Sequence, residues 1–429
     1  MDAAQRALDK PHLACLSRRQ ALCRMGIAGL SLASGSARLP VALAQDDQLA
    51  SGDSLSGVEL PPDVGQAELQ VYVEAIGHSL RGLFLDYWRA NGAAAVYGDP
   101  ISEPFAAPNG YYSQAFERGI FQYRPEFLYT ADPIVRLMPL GELALQDRPA
   151  GFRPAGWWGI DSDARLVAAQ RPLDPMDEAV ARVLAAGGVF VEAMGHTIGG
   201  EILAWYTFNE GAFYLGAPLT EPLADRGRTV QYFEGGLLQA GKDGVALAPL
   251  AAELAPRLGI DTTPIARGDL PPYDELLFWT VDTPNPLGDP YAPGPKWIEV
   301  SLAEQRLWAY QGDTTISSTL VSTGIEPNGT DLGLFHVRLK FPVQDMQGFT
   351  DATGEVVGFG DAPPGAIPYE VKAIPHVVYF NMEAEALHGA YWHSNFGQQM
   401  SHGCINLPLD FAAWLYGWAP LGTGVWVHD

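Results

Sequence analysis

The sequence predicts a multidomain protein in which a mostly β C-terminal domain with one packed helix follows a duplicated α+β module. Three observations support this prediction. Phrases near residue 73 recur near residue 191, strand-like runs dominate after Lys296, and aromatic side chains repeat at helical spacing after Pro408. The length of 429 residues accommodates several domains.

The first 44 residues have the order of a twin-arginine export signal. Arg18 and Arg19 precede a weakly apolar run from Met25 to Ala37, and a small-residue cleavage pattern ends at Ala44. The alternative is an uncleaved membrane anchor, but the run is rich in glycine and serine and is shorter than the roughly 20 apolar residues that a spanning helix needs. We therefore expect an exported protein with no membrane association beyond this segment.

The acidic composition limits the possible partners. Cleavage after Ala44 would remove six basic and two acidic residues and change the net charge from −24 to −28. Such a surface argues against nucleic acid and anionic lipid as partners, because both repel negative charge. It is compatible with an extracellular polymer that carries free amines.

An internal repeat follows the signal. Three blocks recur in the same order at a spacing of 117 or 118 residues: 73–80 with 191–198, 98–104 with 216–222, and 114–119 with 231–236. Three ordered matches indicate a duplicated module of about 70 residues, each with an aromatic-rich helix near its start. A further helix is predicted over residues 174–186 between the two copies.

His78 and His196 occupy equivalent positions in the two copies. Because each lies next to a glycine, we expect a turn or capping role for these histidines in preference to a ligand-binding role. The Gly-x-Pro and Phe-Glu-x-Gly phrases loosely resemble the LGFP-type repeats of bacterial wall-associated proteins. The repeats are therefore expected to serve as scaffold or binding modules.

The C-terminal part is predicted to be rich in strands. A proline-dense stretch, residues 262–295, reads as a semi-rigid linker. Strands are expected at residues 297–300, 306–310, 314–323, 335–340, 376–380 and 424–428. One helix is expected after the last cysteine, with Pro408 in its first turn and Phe411, Trp414, Leu415 and Trp418 on one face.

Cysteine usage singles out one thiol. Cys15 and Cys23 lie in the predicted signal, so a mature chain would keep only Cys404. A thiol attacks carbonyl carbon as thiolate and needs a neighbouring base, and His388, His393 and His402 lie close by in sequence. Without these histidines, a lone cysteine would be interpreted as a small core residue.

The same residues allow a zinc site as an alternative. His388, His393, His402 and Cys404 are four ligands of the type found in structural zinc sites. However, His402 and Cys404 are separated by one residue, which is tighter than usual ligand spacings, and no second ligand pair accompanies them. We therefore predict neither a metal nor a cofactor.

The cysteine segment resembles a known family. Ser401-His402-Gly403-Cys404-Ile405-Asn406, preceded by His388-Gly389, is similar to the signature of the YkuD-type L,D-transpeptidases, and the resemblance extends over residues 296–429. It implies a thiolate that attacks the third-residue carbonyl of a peptidoglycan tetrapeptide stem and releases D-alanine. An amine acceptor would then form a cross-link, whereas water would make the protein an L,D-carboxypeptidase. A non-catalytic wall-binding protein is the rival from another class.

The resemblance also implies residue roles. Cys404 corresponds to the nucleophile, His388 to the general base, and Gly389 to the residue whose backbone carbonyl orients that base. Backbone amides of His402, Gly403 and Cys404 would form the oxyanion hole. His393 is the alternative base. The residues assigned to substrate binding are Tyr391, Trp392, His393, Ser401 and Asn406.

The expected organisation has seven parts, and the sequence does not indicate the oligomeric state. The parts are the signal 1–44, a linker 45–70, repeat module 1 at 71–150, a connector 151–188, repeat module 2 at 189–260, a proline-rich linker 261–295 and the catalytic domain 296–429.

Overall fold

The computed structural model describes residues 58–62, 69–146, 163–225, 227–359 and 362–429. The predicted export signal, most of the first linker and the start of the connector lie outside these ranges. Within them, no helix is both long and apolar enough to cross a membrane. The chain forms two compact units, one containing residues 141–248 and the other residues 58–140 with 249–429.

A hairpin, two helices and a four-stranded antiparallel sheet begin the larger unit. Phe84 stacks on Tyr112 with ring centroids 5.0 Å apart, and Trp88 donates a hydrogen bond to the Gly98 carbonyl, so the helix is fixed to the sheet by its buried aromatic face. The elements are β1 (Val71–Val73), β2 (His78–Leu80), α1 (Gly82–Ala90), α2 (Ala93–Tyr97), β3 (Phe105–Ala106), β4 (Tyr112–Ala115), β5 (Ile120–Tyr123), a 3-10 turn (Pro125–Phe127) and β6 (Val135–Leu137).

The smaller unit has a similar order of elements. The helix predicted over residues 174–186 begins later, because the Asp177 side chain accepts a hydrogen bond from the Ala179 N–H and caps the helix there. The elements are α3 (Leu140–Gln146), α4 (Asp163–Ala169), α5 (Glu178–Ala185), β7 (Val189–Val191), β8 (His196–Ile198), α6 (Gly200–Phe208), α7 (Gly211–Tyr214), β9 (Leu223–Asp225), β10 (Arg228–Phe233), β11 (Gly236–Gly241) and β12 (Gly244–Leu247).

The expectation that His78 and His196 are turn or capping residues is wrong. Each begins a short strand and is buried. The Nδ1 atom of His78 lies 3.3 Å from Glu103 Oε1, and that of His196 lies 3.3 Å from Glu221 Oε1. These partners are 25 residues away along the chain, so neighbour-based reasoning could not identify them.

The rest of the larger unit is mostly β, which confirms the prediction for the C-terminal domain. Two five-stranded sheets have the orders β15-β14-β13-β22-β16 and β18-β17-β19-β20-β21. The elements are α8 (Leu250–Leu254), a 3-10 turn (Glu275–Phe278), β13 (Lys296–Ser301), β14 (Arg306–Gln311), β15 (Thr314–Leu320), β16 (Gly333–His336), β17 (Leu339–Thr350), β18 (Val356–Gly358), β19 (Ile367–Tyr379), β20 (Ala386–Gly389), β21 (Ile405–Leu407), α9 (Leu409–Trp418) and β22 (Gly424–His428).

Two strand predictions differ from the structure. The single strand expected at residues 335–340 is divided between β16 and β17, which belong to different sheets. The strand expected at residues 376–380 is the end of a much longer one, because β17 and β19 form an extended antiparallel ribbon. Pro342, Pro368 and Pro375 lie within this ribbon and obscure its strand pattern in the sequence.

Helix α9 packs against β19 and β20. Pro408, which was predicted to lie in the first turn, is instead the N-cap residue, so the helix begins at Leu409. The buried face includes Phe411, Trp414 and Trp418, as the sequence predicted. Trp414 and Trp418 stack with ring centroids 5.4 Å apart. The helix therefore supports the strand that carries His388.

Three buried charged side chains connect the repeat segment of the larger unit to its β domain. Arg89 Nη2 lies 2.7 Å from Glu275 Oε1, and Lys296 Nζ lies 3.3 Å from the same oxygen. Arg89 also donates to the Gly417 carbonyl of α9 at 3.2 Å. Burial raises the pKa of Glu275, but the two cations outweigh burial and lower this pKa to about 2.

We predict that Glu275→Gln destabilises the larger unit by about 3–5 kcal/mol, because the buried Lys296 would lose its carboxylate partner and the buried Arg89 would keep Asp86 at 3.9 Å in place of its closer partner. The measurement is urea unfolding at pH 7. Since folding lowers the Glu275 pKa, its contribution is complete above the unfolded value near 4.5 and is lost as the pH falls towards 2. Glu74→Gln is the matched control, because Glu74 pairs with Arg267 on the exposed surface and should cost at most about 1 kcal/mol. Equal losses in the two variants would contradict the prediction.

Candidate active site

The candidate site is built on two short parallel strands. His388 in β20 is paired with Asn406 in β21, and Leu387 is paired with Ile405. Cys404 directly precedes β21, so alternation along the strand places it on the same face as Asn406 and His388. Strand spacing and rise together put the Cα atoms of Cys404 and His388 about 8 Å apart, within reach of a thiol and an imidazole. Pairing of the strands thus brings together two residues that are 16 positions apart.

The tautomer of His388 follows from one contact. Its Nδ1 lies 3.2 Å from the carbonyl oxygen of Gly389. A carbonyl oxygen only accepts hydrogen bonds, so Nδ1 carries the proton and Nε2 is left as the basic atom. The side chain is buried, and this burial lowers the His388 pKa to about 4. The imidazole is therefore neutral at pH 7 and able to accept a proton.

The Cys404 thiol is unpaired and partly exposed. It packs against an apolar cluster that includes Ile374, Val377 and Ala386. Burial raises the pKa of Cys404 to about 11, and the Glu385 carboxylate raises it further, although a hydrogen bond with the Ala386 backbone opposes both effects. The thiol and the imidazole are thus both neutral in the resting site.

The backbone around Cys404 is held on both sides. Ser401 donates its hydroxyl hydrogen to the Cys404 carbonyl, and the Ser401 N–H donates to the Thr323 carbonyl at 3.1 Å. Asn406 exchanges backbone hydrogen bonds with Ser322 at 2.8 and 3.0 Å. Gly403 has a φ of +116°, a conformation that strongly favours glycine. These bonds give the cysteine loop a defined shape.

His393 has both ring nitrogens engaged. The Asn395 N–H donates to Nδ1 at 3.2 Å, so the proton of the neutral ring is on Nε2. Nε2 lies 2.9 Å from the side-chain amide group of Asn406. The unprotonated nitrogen of His393 thus already accepts a backbone N–H, whereas Nε2 of His388 does not. Of the two candidate bases, His388 is therefore the one with an available basic nitrogen.

The other predicted site residues form two groups. Ser401 and Asn406 are buried within the loop, whereas Tyr391 and Trp392 are 54% and 42% exposed. Tyr391 and Trp392 stack edge to face at 5.0 Å, and the Tyr391 hydroxyl donates to the Lys372 carbonyl on the extended ribbon. An exposed aromatic surface therefore borders the candidate site beside His388.

The extended ribbon contributes a residue that the sequence analysis missed. The Tyr369 ring stacks on the His402 ring with centroids 5.5 Å apart and planes inclined by 13°. Tyr369 precedes His402 by 33 residues and lies in the part of β19 that was not predicted, so only its aromatic character hinted at a role.

Thr330 and Glu385 were also missed. The Thr330 hydroxyl donates to the Gly403 carbonyl at 2.6 Å. The Glu385 carboxylate accepts from the Asp331 N–H at 3.2 and 3.3 Å, and burial raises the Glu385 pKa to about 7. Glu385 could have been noticed in the sequence because it lies one residue before β20. Thr330 could not, because it lies 74 residues before Cys404 and no sequence pattern connects the two.

The zinc alternative has no support in the geometry. Across the ranges that the structure covers, no three His, Cys, Asp or Glu side chains are arranged to hold a metal ion. Nδ1 and Nε2 of His393 are both engaged, and His402 stacks on Tyr369. The donor set therefore does not converge on one point.

Comparison with protein families identifies the domain that contains this site. Residues 295–427 match the model of the YkuD family, described as an L,D-transpeptidase catalytic domain. A comparison with curated proteins gave no match. The C-terminal domain is therefore similar to L,D-transpeptidase catalytic domains, and the match leaves the repeat segments unassigned.

Solved L,D-transpeptidases also resemble this chain over 31% of its length. One from Mycobacterium smegmatis is 23% identical with a TM-score of 0.26, and the match covers 58% of that chain. A mutant Enterococcus faecium enzyme is 26% identical with a TM-score of 0.26, and the match covers 49% of it. The isolated Enterococcus faecium catalytic domain is 25% identical with a TM-score of 0.26 and is covered over 95% of its length. The chain thus spans about half of the longer relatives.

We predict that alkylation of Cys404 by iodoacetamide accelerates as the pH rises, with its midpoint near pH 11, because burial raises the pKa of the thiol to about 11. Peptide mass spectrometry of the Cys404 peptide measures the rate. The same protein in urea is the control, and its thiol should titrate near the free value of about 8.5. A plateau near pH 7 would instead indicate a resting thiolate–imidazolium pair and contradict the prediction.

Proposed function

We propose that this protein is an exported peptidoglycan L,D-transpeptidase that uses Cys404 as its nucleophile and His388 as its general base. The contact between His388 Nδ1 and the Gly389 carbonyl carries this proposal. It leaves the basic Nε2 on the face of the strand pair that also bears Cys404. The family match over residues 295–427 supports the reaction class.

Because the Cys404 thiol and the His388 imidazole are both neutral, the first chemical step includes a proton transfer between them. His388 Nε2 removes the proton from Cys404 as Sγ attacks the carbonyl carbon of the third stem residue. A thiolate–imidazolium pair is unfavourable in a buried site before the substrate is attacked. The proton therefore moves from Cys404 to His388 as the bond from Sγ to the carbonyl carbon forms. The negative charge then resides on the former carbonyl oxygen, where backbone N–H groups of His402, Gly403 and Cys404 would stabilise it.

The second half of the reaction resolves the thioester. The tetrahedral intermediate collapses, the bond to D-alanine breaks, and protonated His388 gives its proton to the departing amine. An amine from a second stem then attacks the thioester carbonyl and loses a proton to His388, and Sγ leaves as the cross-link forms. Water in place of the amine would yield a shortened stem.

Other residues have supporting roles in this proposal. Gly389 holds the base in one tautomer through its carbonyl. Tyr391 and Trp392 offer an exposed aromatic surface to the substrate. Ser401 keeps the loop in shape through its hydrogen bond to the Cys404 carbonyl, and His393 and Asn406 do so through the contact between their side chains. In this way the three residues act on substrate binding indirectly.

Localisation in the cell wall follows from the proposed substrate. The net charge of −24 also disfavours nucleic acid as a partner. The catalytic steps require no cofactor, because the nucleophile, the base and the backbone donors come from the chain itself.

The proposal predicts a thioester on Cys404. Incubation with tetrapeptide-bearing muropeptides should add the mass of a tripeptide-bearing fragment to the protein, and Cys404→Ala should abolish the adduct. Linked dimers among the products would indicate transfer, and shortened stems would indicate hydrolysis. A wild-type protein that forms no adduct with stems or with a carbapenem, yet binds sacculi, would replace the enzyme by a wall-binding protein.

We further predict that His388→Ala lowers the acylation rate by about 10²–10⁴-fold, because it removes the proposed general base. His393→Ala should lower the rate by less than about tenfold, since both nitrogens of His393 serve hydrogen bonds within the loop. Single-turnover mass spectrometry of acylation measures both effects, and circular dichroism checks that each variant is folded. A larger loss in His393→Ala would reverse the assignment of the base.

A further inference from the structure

The peptide units on both sides of Cys404 are anchored by hydroxyl groups. Ser401 donates to the Cys404 carbonyl, and Thr330 donates to the Gly403 carbonyl at 2.6 Å. Thr330 in turn accepts from the Gly324 N–H at 2.9 Å, so its hydroxyl is fully used between two backbone groups. Thr330 is buried, and both of its hydrogen bonds are shielded from water.

Thr330 is held in place by a continuous backbone pairing. The Met400 and Ser401 N–H groups donate to the Thr323 carbonyl, and the Ile325 N–H donates to the Ser401 carbonyl. Gly324 passes so close to residue 330 that a Cβ at Gly324 would lie 2.7 Å from the Thr330 nitrogen. Residues 323–325 therefore pair with the start of the cysteine loop, and Thr330 is held against Gly324 of this paired segment.

Because the peptide unit is planar, the hydrogen bond from Thr330 to the Gly403 carbonyl also orients the Cys404 N–H. In a trans peptide unit the C=O and the following N–H point in opposite directions within one plane. Fixing the Gly403 carbonyl towards Thr330 consequently fixes the Cys404 N–H in the opposite direction. This N–H is one of the donors proposed for the oxyanion hole.

We propose that Thr330 is a positioning residue that aims the Cys404 N–H at the developing oxyanion. The inference rests on the proposed function. It assigns Thr330 no contact with the substrate, and the effect passes through the Gly403–Cys404 peptide unit. Glu385 assists from the adjacent position, because its carboxylate holds the Asp331 N–H and borders Gly403, where a Cβ would lie 3.0 Å from Glu385 Oε1.

Two reactions of the same thiol provide the test. Acylation by a stem peptide develops an oxyanion, whereas alkylation by iodoacetamide does not. Thr330→Val, which keeps the shape and removes the hydroxyl, should slow single-turnover acylation at saturating substrate by about 10-fold to 100-fold. Alkylation should change by less than about twofold, and Thr330→Ser should restore acylation to within about threefold of wild type.

Thr353→Val makes the same change at an exposed threonine whose hydroxyl donates to Asp351, and it should leave both rates unaltered. Equal losses of acylation and alkylation in Thr330→Val, or no loss of either, would overturn the proposal. If wild type is alkylated but never acylated, the proposed function fails first, and this outcome is separate from any effect of Thr330.

A second inference concerns the two repeat segments, including whether they are copies of one module. Within the larger unit Gln114 Nε2 donates to two carbonyls, and within the smaller unit Gln231 Nε2 does the same. The acceptors lie at matching positions of the two segments: Ser79 and Ser102 at 2.9 Å each, and Thr197 and Thr220 at 2.7 and 2.8 Å. The two segments thus share a buried polar network as well as sequence.

Each repeat segment accepts backbone hydrogen bonds from residues that come after the other repeat segment in the chain. Within the smaller unit, the Gly141 N–H donates to the Glu234 carbonyl at 3.0 Å and the Leu173 N–H donates to the Gly195 carbonyl at 2.8 Å. The matching bonds of the larger unit are Ala252 N–H to the Glu117 carbonyl at 3.0 Å and Ile265 N–H to the Gly77 carbonyl at 2.9 Å. The donors form a first arm, residues 141–146 and 163–173, and a second arm, residues 249–265.

We infer that residues 71–137 and 189–247 are copies of one module that exchange arms. The first arm follows the first module and completes the second, while the second arm follows the second module and completes the first. Because the first module lies in the compact unit of the catalytic domain, that unit depends on an arm synthesised after the second module.

Hydrogen exchange of the full chain tests the arm exchange. Gly141→Pro removes one donor, and a Cβ there would lie 1.8 Å from the Phe233 carbonyl oxygen, so exchange should accelerate at least tenfold within residues 189–247. Ala252→Pro should accelerate exchange within residues 71–137 instead. The two variants are matched controls for each other. Faster exchange of residues 71–137 in Gly141→Pro, or no change in either variant, would overturn the inference.

Discussion

The parallel pairing of Ala386–Gly389 with Ile405–Leu407 is the constraint on which the site depends. It places His388 opposite Asn406 and so puts the imidazole on the same face as Cys404. A slip of one residue would turn one of the two side chains to the opposite face. Helix α9 packs on the strand that carries His388, and residues Ser322 to Ile325 pair with the cysteine loop from its other side. Much of the domain therefore serves to hold this register.

Desolvation determines the protonation states of His388 and Cys404, the two residues that the strand register brings together. Burial lowers the His388 pKa and raises the Cys404 pKa, so the resting pair is uncharged. In the proposed mechanism, a neutral thiol at rest would be oxidised more slowly than a thiolate, because the thiolate is the reactive form. The low polarity around Cys404 would also strengthen the proposed backbone donors once an oxyanion forms. Both effects would have one physical origin, the partial burial of the site.

The compact unit around this site extends beyond the domain that the family match covers. Arg89 from the repeat segment reaches Glu275 and the Gly417 carbonyl of α9, and Lys296 at the start of the β domain shares Glu275. A buried carboxylate between two cations is stable only as a set, because loss of one member leaves an uncompensated charge. Residues 295–427 therefore fold against parts of the chain that precede them.

The sequence by itself determined the local features of this protein. The helix after Pro408 and most strands of the C-terminal domain could be predicted, because periodicity and short-range spacing carry that information. The sequence also singled out Cys404 and His388 as candidate site residues through their resemblance to a family motif. The tertiary structure decided the partners: Glu103 for His78, Thr330 for Gly403, and the long ribbon that brings Tyr369 to His402. It also decided that the side chain of His393 contacts the side-chain amide of Asn406. Such contacts join residues from 13 to 73 positions apart, and their formation depends on burial and strand register, which no local pattern encodes.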